Sequence, residues 1–153
     1  MTGGSSVEPP PYHERRIEKA RYTVELTLDT IFRPGDWAAK LTHRLGLQGK
    51  LRTTTTVIQP DPQLRRAAPL RIAFASDFHA GSTTGDGLLA DACRLLDALQ
   101  PDVLLLGGDF VSVRASDIHR LAPLLAKVDA PYGKFGVLGN HDLRSNYREV
   151  IVA

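Results

Sequence analysis

The stretch Leu-Arg-Ile-Ala-Phe-Ala-Ser-Asp-Phe-His at residues 70–79 decides the fold of this chain. Its apolar run from Ile72 to Ala75, bounded by a proline before it and a glycine after it, is typical of a buried strand. Asp77 and His79 follow the run, and on an extended backbone side chains two residues apart point the same way. Because open α/β sheets bind ligands beyond the carboxyl ends of their strands, we expect both side chains to face a binding site there.

The same pattern recurs twice further along the chain. The apolar run at 103–106 is followed by two glycines and Asp109, and the run at 135–138 is followed by Gly-Asn-His-Asp at 139–142. Helical patterns over about 87–99 and 117–128 separate the three runs. The order β-α-β-α-β therefore predicts an α/β fold with a parallel sheet and right-handed crossovers.

The three strand ends place polar side chains at one edge of the predicted sheet. These side chains are Asp77, His79, Asp109, Asn140 and His141. A single residue of this kind is more often a turn, a cap or a surface residue, but three strand ends with the same character favour a shared site. Oxygen and nitrogen ligands in this mixture suit divalent metals such as Mn, Fe or Zn.

The motifs D-x-H, G-D and G-N-H-D, in this order, resemble those of the calcineurin-like metallophosphoesterases. Residues 76–79, 108–111 and 132–142 are most similar to the bacterial branch that includes the YkuE- and YaeI-type phosphoesterases. The resemblance covers about residues 70–145. It implies a four-layer sandwich, of which β-α-β-α-β is the first part. It also implies hydrolysis of a phosphomonoester, phosphodiester or pyrophosphate bond by a metal-bridging hydroxide.

The resemblance also implies two divalent metal ions, Mn, Fe or Zn, joined by a carboxylate. Asp109 matches the bridging carboxylate, Asp77 and His79 match ligands of the first metal, and Asn140 matches a ligand of the second. His141 matches a histidine that contacts the phosphate and protonates the leaving oxygen. Asp142 is expected to orient that histidine or to raise its basicity. The pattern does not match the protein Ser/Thr phosphatases, so we expect a small phosphoester, including a lipid-linked one, as substrate.

The sequence departs from the family pattern after residue 142. The family continues with a further histidine and a closing G-H-x-H on a second sheet, and no such residues follow before Ala153. We therefore expect this chain to resemble a truncated N-terminal half, with an incomplete metal site and with the second sheet missing. The alternative to an active phosphoesterase is an inactive fragment that persists through self-association or pairing.

Three segments are predicted along the chain. Residues 1–21 are a disordered or charged tail, 22–69 form a strand and helix extension, and 70–153 are the phosphoesterase part. Alternating polarity at 22–28 and consecutive threonines at 51–58 favour N-terminal edge strands of the same sheet.

The segment 36–45 predicts a short helix with an apolar face flanked by basic residues. We favour packing of this helix on its own domain. Peripheral contact with an anionic membrane is the alternative. Residues 1–70 hold eleven Lys/Arg and seven Asp/Glu, whereas 71–153 hold eight and ten. A weak anion-binding role of the basic half is therefore a further alternative, and no specific nucleic acid is expected.

The cysteine content predicts the compartment. The chain has one cysteine, Cys93, which cannot form an internal disulfide, so we expect a reducing, cytoplasmic location. Peripheral contact with the inner face of the membrane is an alternative within that location. No apolar stretch reaches membrane-spanning length, and the first residues lack the pattern of a secretory signal.

Overall fold

The structure is a computed structural model that describes residues 12–46, 51–59 and 69–153. The first eleven residues of the predicted tail lie outside the described residues. In chain order the elements are α1 (Tyr12–Phe32), α2 (Trp37–Arg44), β1 (Ile72–Ala75), α3 (Asp86–Ala98), β2 (Val103–Leu106), α4 (Ile118–Ala126), β3 (Lys134–Gly136), α5 (Asn140–Arg144) and α6 (Tyr147–Val152). Short 3-10 turns at Pro34–Asp36 and Ala115–Asp117 precede α2 and α4.

The three strands form a parallel sheet in the order β1-β2-β3. The crossover helices α3 and α4 connect consecutive strands and pack on each other over one face of the sheet. The main core lies between that face and the two helices, and it includes Ala73, Leu89, Cys93, Leu96, Leu104, Leu121 and Leu125. Burial of each large apolar side chain stabilises the fold by roughly 1.5–3 kcal/mol. The predicted α/β fold with a parallel sheet is confirmed.

The opposite face of the sheet carries large apolar side chains in register. Phe74 pairs with Leu105, which pairs with Phe135 on the third strand. Their exposed fractions are 66%, 36% and 58%. The described residues therefore leave an apolar row across this face in contact with solvent.

The predicted strand at 22–28 is wrong, because these residues belong to the long helix α1. Its threonine hydroxyls donate to carbonyl oxygens one turn earlier, with Thr23 to Lys19 and Thr27 to Thr23 both at 2.8 Å. These bonds satisfy side chains that otherwise favour extended backbone. One face of this helix packs on the domain, and apolar residues lie on another face. Over seven residues that arrangement produces the same alternation of polar and apolar side chains as a strand.

The predicted strand at 51–58 is also wrong. The described residues 51–59 have no regular secondary structure, and Val57 and Ile58 are 81% and 83% exposed. A single extended segment is not stable without a partner strand, and the strand expected to pair with it is helical. The predicted helix at 36–45 is confirmed as α2. Within the described residues no helix has the length and apolar character needed to cross a bilayer.

A buried ion-pair network fastens α1 to the sheet domain. Asp29 is 4% exposed and accepts hydrogen bonds from Arg33 at 2.9 Å and from Arg114 at 2.7 Å. Arg33 also donates to both carboxylate oxygens of Asp117, at 3.0 and 2.8 Å, and Asp117 is 2% exposed. Such a bidentate pairing fixes both the distance and the angle of the helix.

The network sets the ionisation of its members. Burial alone would raise the pKa of Asp29, but hydrogen bonds from Arg33, Arg114 and Ser82 outweigh it and lower that pKa. Hydrogen bonding to Asp117 raises the pKa of Arg33. Because the pKa of Asp29 is lower in the folded chain than its ordinary value of 3.8, ionised Asp29 stabilises the fold above that pH.

We expect an Asp29→Asn variant to show a pH-dependent loss of stability. Its melting temperature should lie below that of the wild type at pH 7, and the gap should narrow as the pH falls below about 4, because wild-type Asp29 then becomes protonated. Thermal melts followed by circular dichroism from pH 7 to pH 3 measure this. Asp91→Asn, on the exposed side of α3, is the matched control. A gap that stays constant with pH would contradict the ionic role.

Candidate metal centre

The loops that follow β1 and β2 run side by side at the carboxyl edge of the sheet. The backbone N–H of Asp77 donates to the carbonyl oxygen of Gly108 at 3.0 Å. The backbone N–H of His79 donates to the backbone carbonyl oxygen of Asp109 at 2.9 Å. Further along, Ala80 pairs with Val111 in a parallel bridge. Each loop therefore holds the other, and the polar residues of both strand ends are brought to one place.

The backbone of these loops is not extended, contrary to the sequence prediction. Asp77, His79 and Asp109 have φ angles of 58°, 45° and 52°, which lie in the left-handed region. A residue with a Cβ costs roughly 1–2 kcal/mol there, and such conformations concentrate at functional sites. The side chains still converge as predicted, but tight left-handed turns bring them together rather than the alternation of a strand.

Three of the predicted residues form a cluster that can hold a metal ion. His79, Asp109 and His141 each offer one ligand atom, and these atoms lie within 4.8 Å of one another. All three side chains are half-buried. The rings of His79 and His141 meet edge to face, with centroids 4.7 Å apart. Two imidazoles and one carboxylate fit a divalent transition metal.

Asp77 lies beside this cluster, and Asn140 precedes one of its members in the chain. The Oδ1 atom of Asp77 is 3.7 Å from Nε2 of His79, its side chain is 64% exposed, and its other oxygen accepts from the hydroxyl of Ser76. Asn140 is the first residue of α5 and is exposed, next in sequence to His141. Both predicted ligands are therefore open to solvent, and Asp77 is within reach of His79.

His141 is held by two hydrogen bonds, one of which defines the tautomer of its ring. Its backbone N–H donates to Oδ1 of Asp109 at 2.9 Å, and its Nδ1 lies 2.6 Å from the carbonyl oxygen of Ser112. Because a carbonyl oxygen only accepts, Nδ1 carries the proton of the neutral ring. Nε2 is then available to bind a metal or to exchange a proton. The sequence reasoning missed Ser112, since a backbone carbonyl leaves no mark in a side-chain motif.

Asp142 has different partners from those predicted. It is fully buried, its Oδ1 accepts from the backbone N–H of Val111 at 3.1 Å, and its Oδ2 accepts from Gly139 at 2.9 Å. The Nδ1 atom of His141, the histidine that Asp142 was expected to support, lies against the carbonyl of Ser112. Asp142 therefore joins the loop after β2 to the start of α5, and it supports His141 only through the backbone.

Two glycines allow the loops after β2 and β3 to touch. Gly108 has a φ of +88°, and a Cβ placed on it would lie 2.8 Å from Cα of Gly139 and 2.9 Å from the carbonyl carbon of Leu138. A Cβ on Gly139 would lie 2.6 Å from the carboxylate carbon of Asp109. The cluster depends on this backbone contact, which leaves no room for a side chain.

We expect Gly108→Ala to destabilise the fold by roughly 2 kcal/mol or more, since it adds both a steric clash and a disfavoured left-handed alanine. Urea unfolding measures the change. Gly87→Ala is the matched control, because Gly87 lies in α3 and a Cβ on it would meet no other atom within 4 Å. A helical alanine there should stabilise the fold by about 0.5–1 kcal/mol. Equal stability of the two variants would show that the loops can separate without cost.

The part of the chain that carries this cluster is similar to proteins of a known family. The family described as calcineurin-like phosphoesterase matches residues 70–151, which is just over half of the chain. A UDP-2,3-diacylglucosamine pyrophosphatase, LpxG, of Chlamydia trachomatis is 40% identical over 74 residues, covering 48% of this chain and 22% of that protein. An uncharacterized metallophosphoesterase of Aquifex aeolicus is 34% identical over 80 residues, covering 52% and 31%.

A third relative is the phosphodiesterase YaeI of Escherichia coli, which is 34% identical over 77 residues, covering 50% of this chain and 28% of that protein. The chain therefore spans less than a third of the length of each of these relatives. No solved structure matches the chain significantly.

Proposed function

This chain belongs to the calcineurin-like phosphoesterase family, and from this we propose that it takes part in metal-dependent hydrolysis of a phosphoester or pyrophosphate bond. The observation that carries the proposal is the cluster of His79, Asp109 and His141, whose ligand atoms lie within 4.8 Å of one another. The cluster stands at the carboxyl edge of a parallel sheet, where ligands of such folds bind. Residues 70–153 form the phosphoesterase part in this proposal.

The residues present fit divalent metal ions. His79 and Asp109 would hold one, with Asp77 beside them, and Asn140 would contribute toward a second, in agreement with the motif matches. Bound Mn, Fe or Zn would supply Lewis-acid stabilisation of the phosphoryl charge and a water of lowered pKa. The fit rests on the donor types, since imidazole nitrogen and carboxylate oxygen both suit these ions.

His141 is the residue of this chain best placed to move a proton. The Ser112 carbonyl fixes the proton of the neutral ring on Nδ1, so Nε2 is the ring nitrogen left free for chemistry. A protonated Nε2 would contact a phosphate oxygen and deliver its proton to the leaving oxygen. The His141 ring also belongs to the cluster with His79 and Asp109, and with Nδ1 engaged by Ser112 the roles of acid and ligand would compete for Nε2.

We propose a lipid-linked phosphoester as the substrate class. The support is the name of the relative LpxG, a UDP-2,3-diacylglucosamine pyrophosphatase, which is 40% identical over the shared segment. A cytoplasmic location at the inner face of the membrane is consistent with that substrate and with a single buried cysteine. The relative YaeI, named a phosphodiesterase, supports a phosphodiester as the alternative bond.

The experiment that tests the proposal is hydrolysis of bis(p-nitrophenyl) phosphate with and without added Mn²⁺. We expect turnover that needs the metal and is removed by a chelator. A UDP-linked diacyl sugar and an aryl phosphomonoester, assayed in parallel, separate the bond types. Protein that binds Mn²⁺ but shows no turnover above buffer would overturn the activity for this chain.

The exposed row of Phe74, Leu105 and Phe135 favours the second candidate role, association of two copies through the open sheet face. Apolar side chains in register on adjacent strands present a continuous surface. Size-exclusion chromatography with light scattering distinguishes the two roles. A dimer without metal-dependent turnover would favour association alone, whereas a monomer that turns over substrate would leave only the enzymatic role.

A further inference from the structure

Helix α1 has two distinct faces. One face packs on the sheet domain through Asp29 and Arg33, and Tyr22 donates from its hydroxyl to the carbonyl oxygen of Val113 at 3.4 Å. Away from that face, Val24, Leu28 and Ile31 follow one another at helical spacing. Their exposed fractions are 58%, 44% and 56%. The helix therefore carries an apolar strip that the domain does not cover.

Helix α2 carries a second strip of the same kind. Trp37, Leu41 and Leu45 lie four residues apart and are 44%, 45% and 61% exposed. Its small residues Ala38 and Ala39 are buried, each 5% exposed. The packing favoured from the sequence thus engages only the alanines, and the large apolar side chains are left at the surface.

The two strips meet at Trp37. Its indole Nε1 donates to the carbonyl oxygen of Ile31 at 3.3 Å, and its ring packs edge to face on Phe32, with centroids 5.4 Å apart. The end of one strip is thereby joined to the start of the other. We call the six residues of the two strips, Val24, Leu28, Ile31, Trp37, Leu41 and Leu45, the two-helix apolar face.

Basic side chains border this face. Lys40 and Arg44 are exposed on α2, and no acidic residue occurs between positions 37 and 46. On α1 the exposed side chains of Lys19 and Arg21 precede the strip, with Arg21 paired to Glu25. An aliphatic strip with one tryptophan and a cationic border is the arrangement that binds the interface of an anionic bilayer.

We propose that the two-helix apolar face binds the surface of an anionic lipid bilayer. The charge border selects a negatively charged surface, and the strips are too narrow to form a spanning segment. Binding would also orient the metal cluster. The opposite face of α1 contacts Val113 and Arg114, close in sequence to Ser112, whose carbonyl holds His141. The role in presenting a lipid-linked substrate rests on the proposed function, whereas the binding itself does not.

The test uses Trp37, which is the single tryptophan of the chain. Its emission reports the polarity around the proposed contact without any added label. The full chain is titrated with vesicles of phosphatidylcholine alone and with vesicles containing phosphatidylglycerol, without metal or substrate. We expect a blue shift and an increase of emission only with the anionic vesicles, and weaker binding at high salt.

Variants that keep the helix sharpen the test. Leu41→Gln should weaken vesicle binding by about tenfold, since one large apolar side chain no longer enters the interface. Lys40→Gln with Arg44→Gln should weaken it by about fivefold for each charge removed. Val57→Gln changes an apolar side chain that is 81% exposed outside both helices, and it should bind like the wild type. Far-UV circular dichroism verifies that each variant keeps its helices.

Several results would overturn the proposal. These are no emission change with anionic vesicles, an equal change with neutral vesicles, or a change that Leu41→Gln leaves intact. A shift that grows with protein concentration in the absence of lipid would instead assign the face to a second copy of the chain. Hydrolysis of a soluble aryl phosphodiester is measured separately, so failure of the enzymatic proposal and failure of membrane binding remain distinguishable.

Discussion

An Asp109→Asn variant is expected to lose the proposed metal-dependent hydrolysis while it keeps its fold. Asp109 is the one carboxylate of the three-residue cluster, so the substitution removes the negative charge that faces a bound cation. The hydrogen bond from the backbone N–H of His141 to Oδ1, at 2.9 Å, can be kept by the amide oxygen of asparagine. A loss of about 3 kcal/mol of transition-state stabilisation corresponds to roughly a hundredfold lower turnover.

The measurement combines turnover of bis(p-nitrophenyl) phosphate with equilibrium dialysis against Mn²⁺. Weaker metal binding should accompany the loss of turnover, because both depend on the same carboxylate. Asp129→Asn is the matched control, since Asp129 is an exposed carboxylate before β3, at the opposite end of that strand from the cluster. Thermal melts of both variants show whether the fold persists. A variant at Asp109 that keeps wild-type turnover would remove this residue from the proposed site.

An Asp142→Ala variant is expected to lose stability before it loses any specific chemistry. The carboxylate is fully buried and accepts the backbone N–H groups of Val111 and Gly139. Truncation leaves both donors without an acceptor, at a cost of roughly 1–3 kcal/mol for each. The loops after β2 and β3 would then separate, and the distance between Asp109 and His141 would increase.

Urea unfolding of Asp142→Ala, compared with Asp129→Ala, measures this cost. The control removes an exposed carboxylate and should change the free energy of unfolding by less than about 0.5 kcal/mol. The sequence-based role of Asp142, orientation of the His141 ring, makes a different prediction. It would give normal stability with reduced turnover and an altered pH profile, and that outcome would contradict the structural role described above.

The two variants separate the chemistry of the site from its support. Asp109 presents its charge to the cluster, whereas Asp142 presents both oxygens to the backbone that carries the cluster. The sequence motif Gly-Asn-His-Asp contains residues of both kinds, and the motif does not distinguish them. A residue next to a ligand in sequence is therefore not necessarily next to it in function.

Much of the sheet domain was predictable because its signals are local. Short apolar runs that end in glycine and aspartate mark strands, and the helical patterns between them require parallel order and crossovers on the sheet. The sequence positions of Asp77, His79, Asp109 and His141 at strand ends then follow from topology alone. For the same reason the helices α2, α3 and α4 lie close to their predicted positions.

The conformation of residues 22–28 was not predictable from that segment. Its alternating polarity is compatible with a strand, and the helix is favoured by contacts from distant residues. Arg114 and Asp117 pair with Asp29 and Arg33 across more than eighty positions of the chain. The spacing of polar and apolar residues within a seven-residue segment contains no information about such distant partners.

Local sequence patterns thus determined the α/β class, the order of the strands and the edge at which the polar residues gather. Long-range packing alone decided how those residues meet. The left-handed turns at Asp77, His79 and Asp109 depend on backbone bonds between two loops. Val111, one of the two partners of Asp142, and Ser112, whose carbonyl holds His141, lie about thirty residues away in sequence. The physical reason is that side-chain periodicity is set by neighbouring residues, whereas hydrogen-bond partners in loops are set by which strands the fold places side by side.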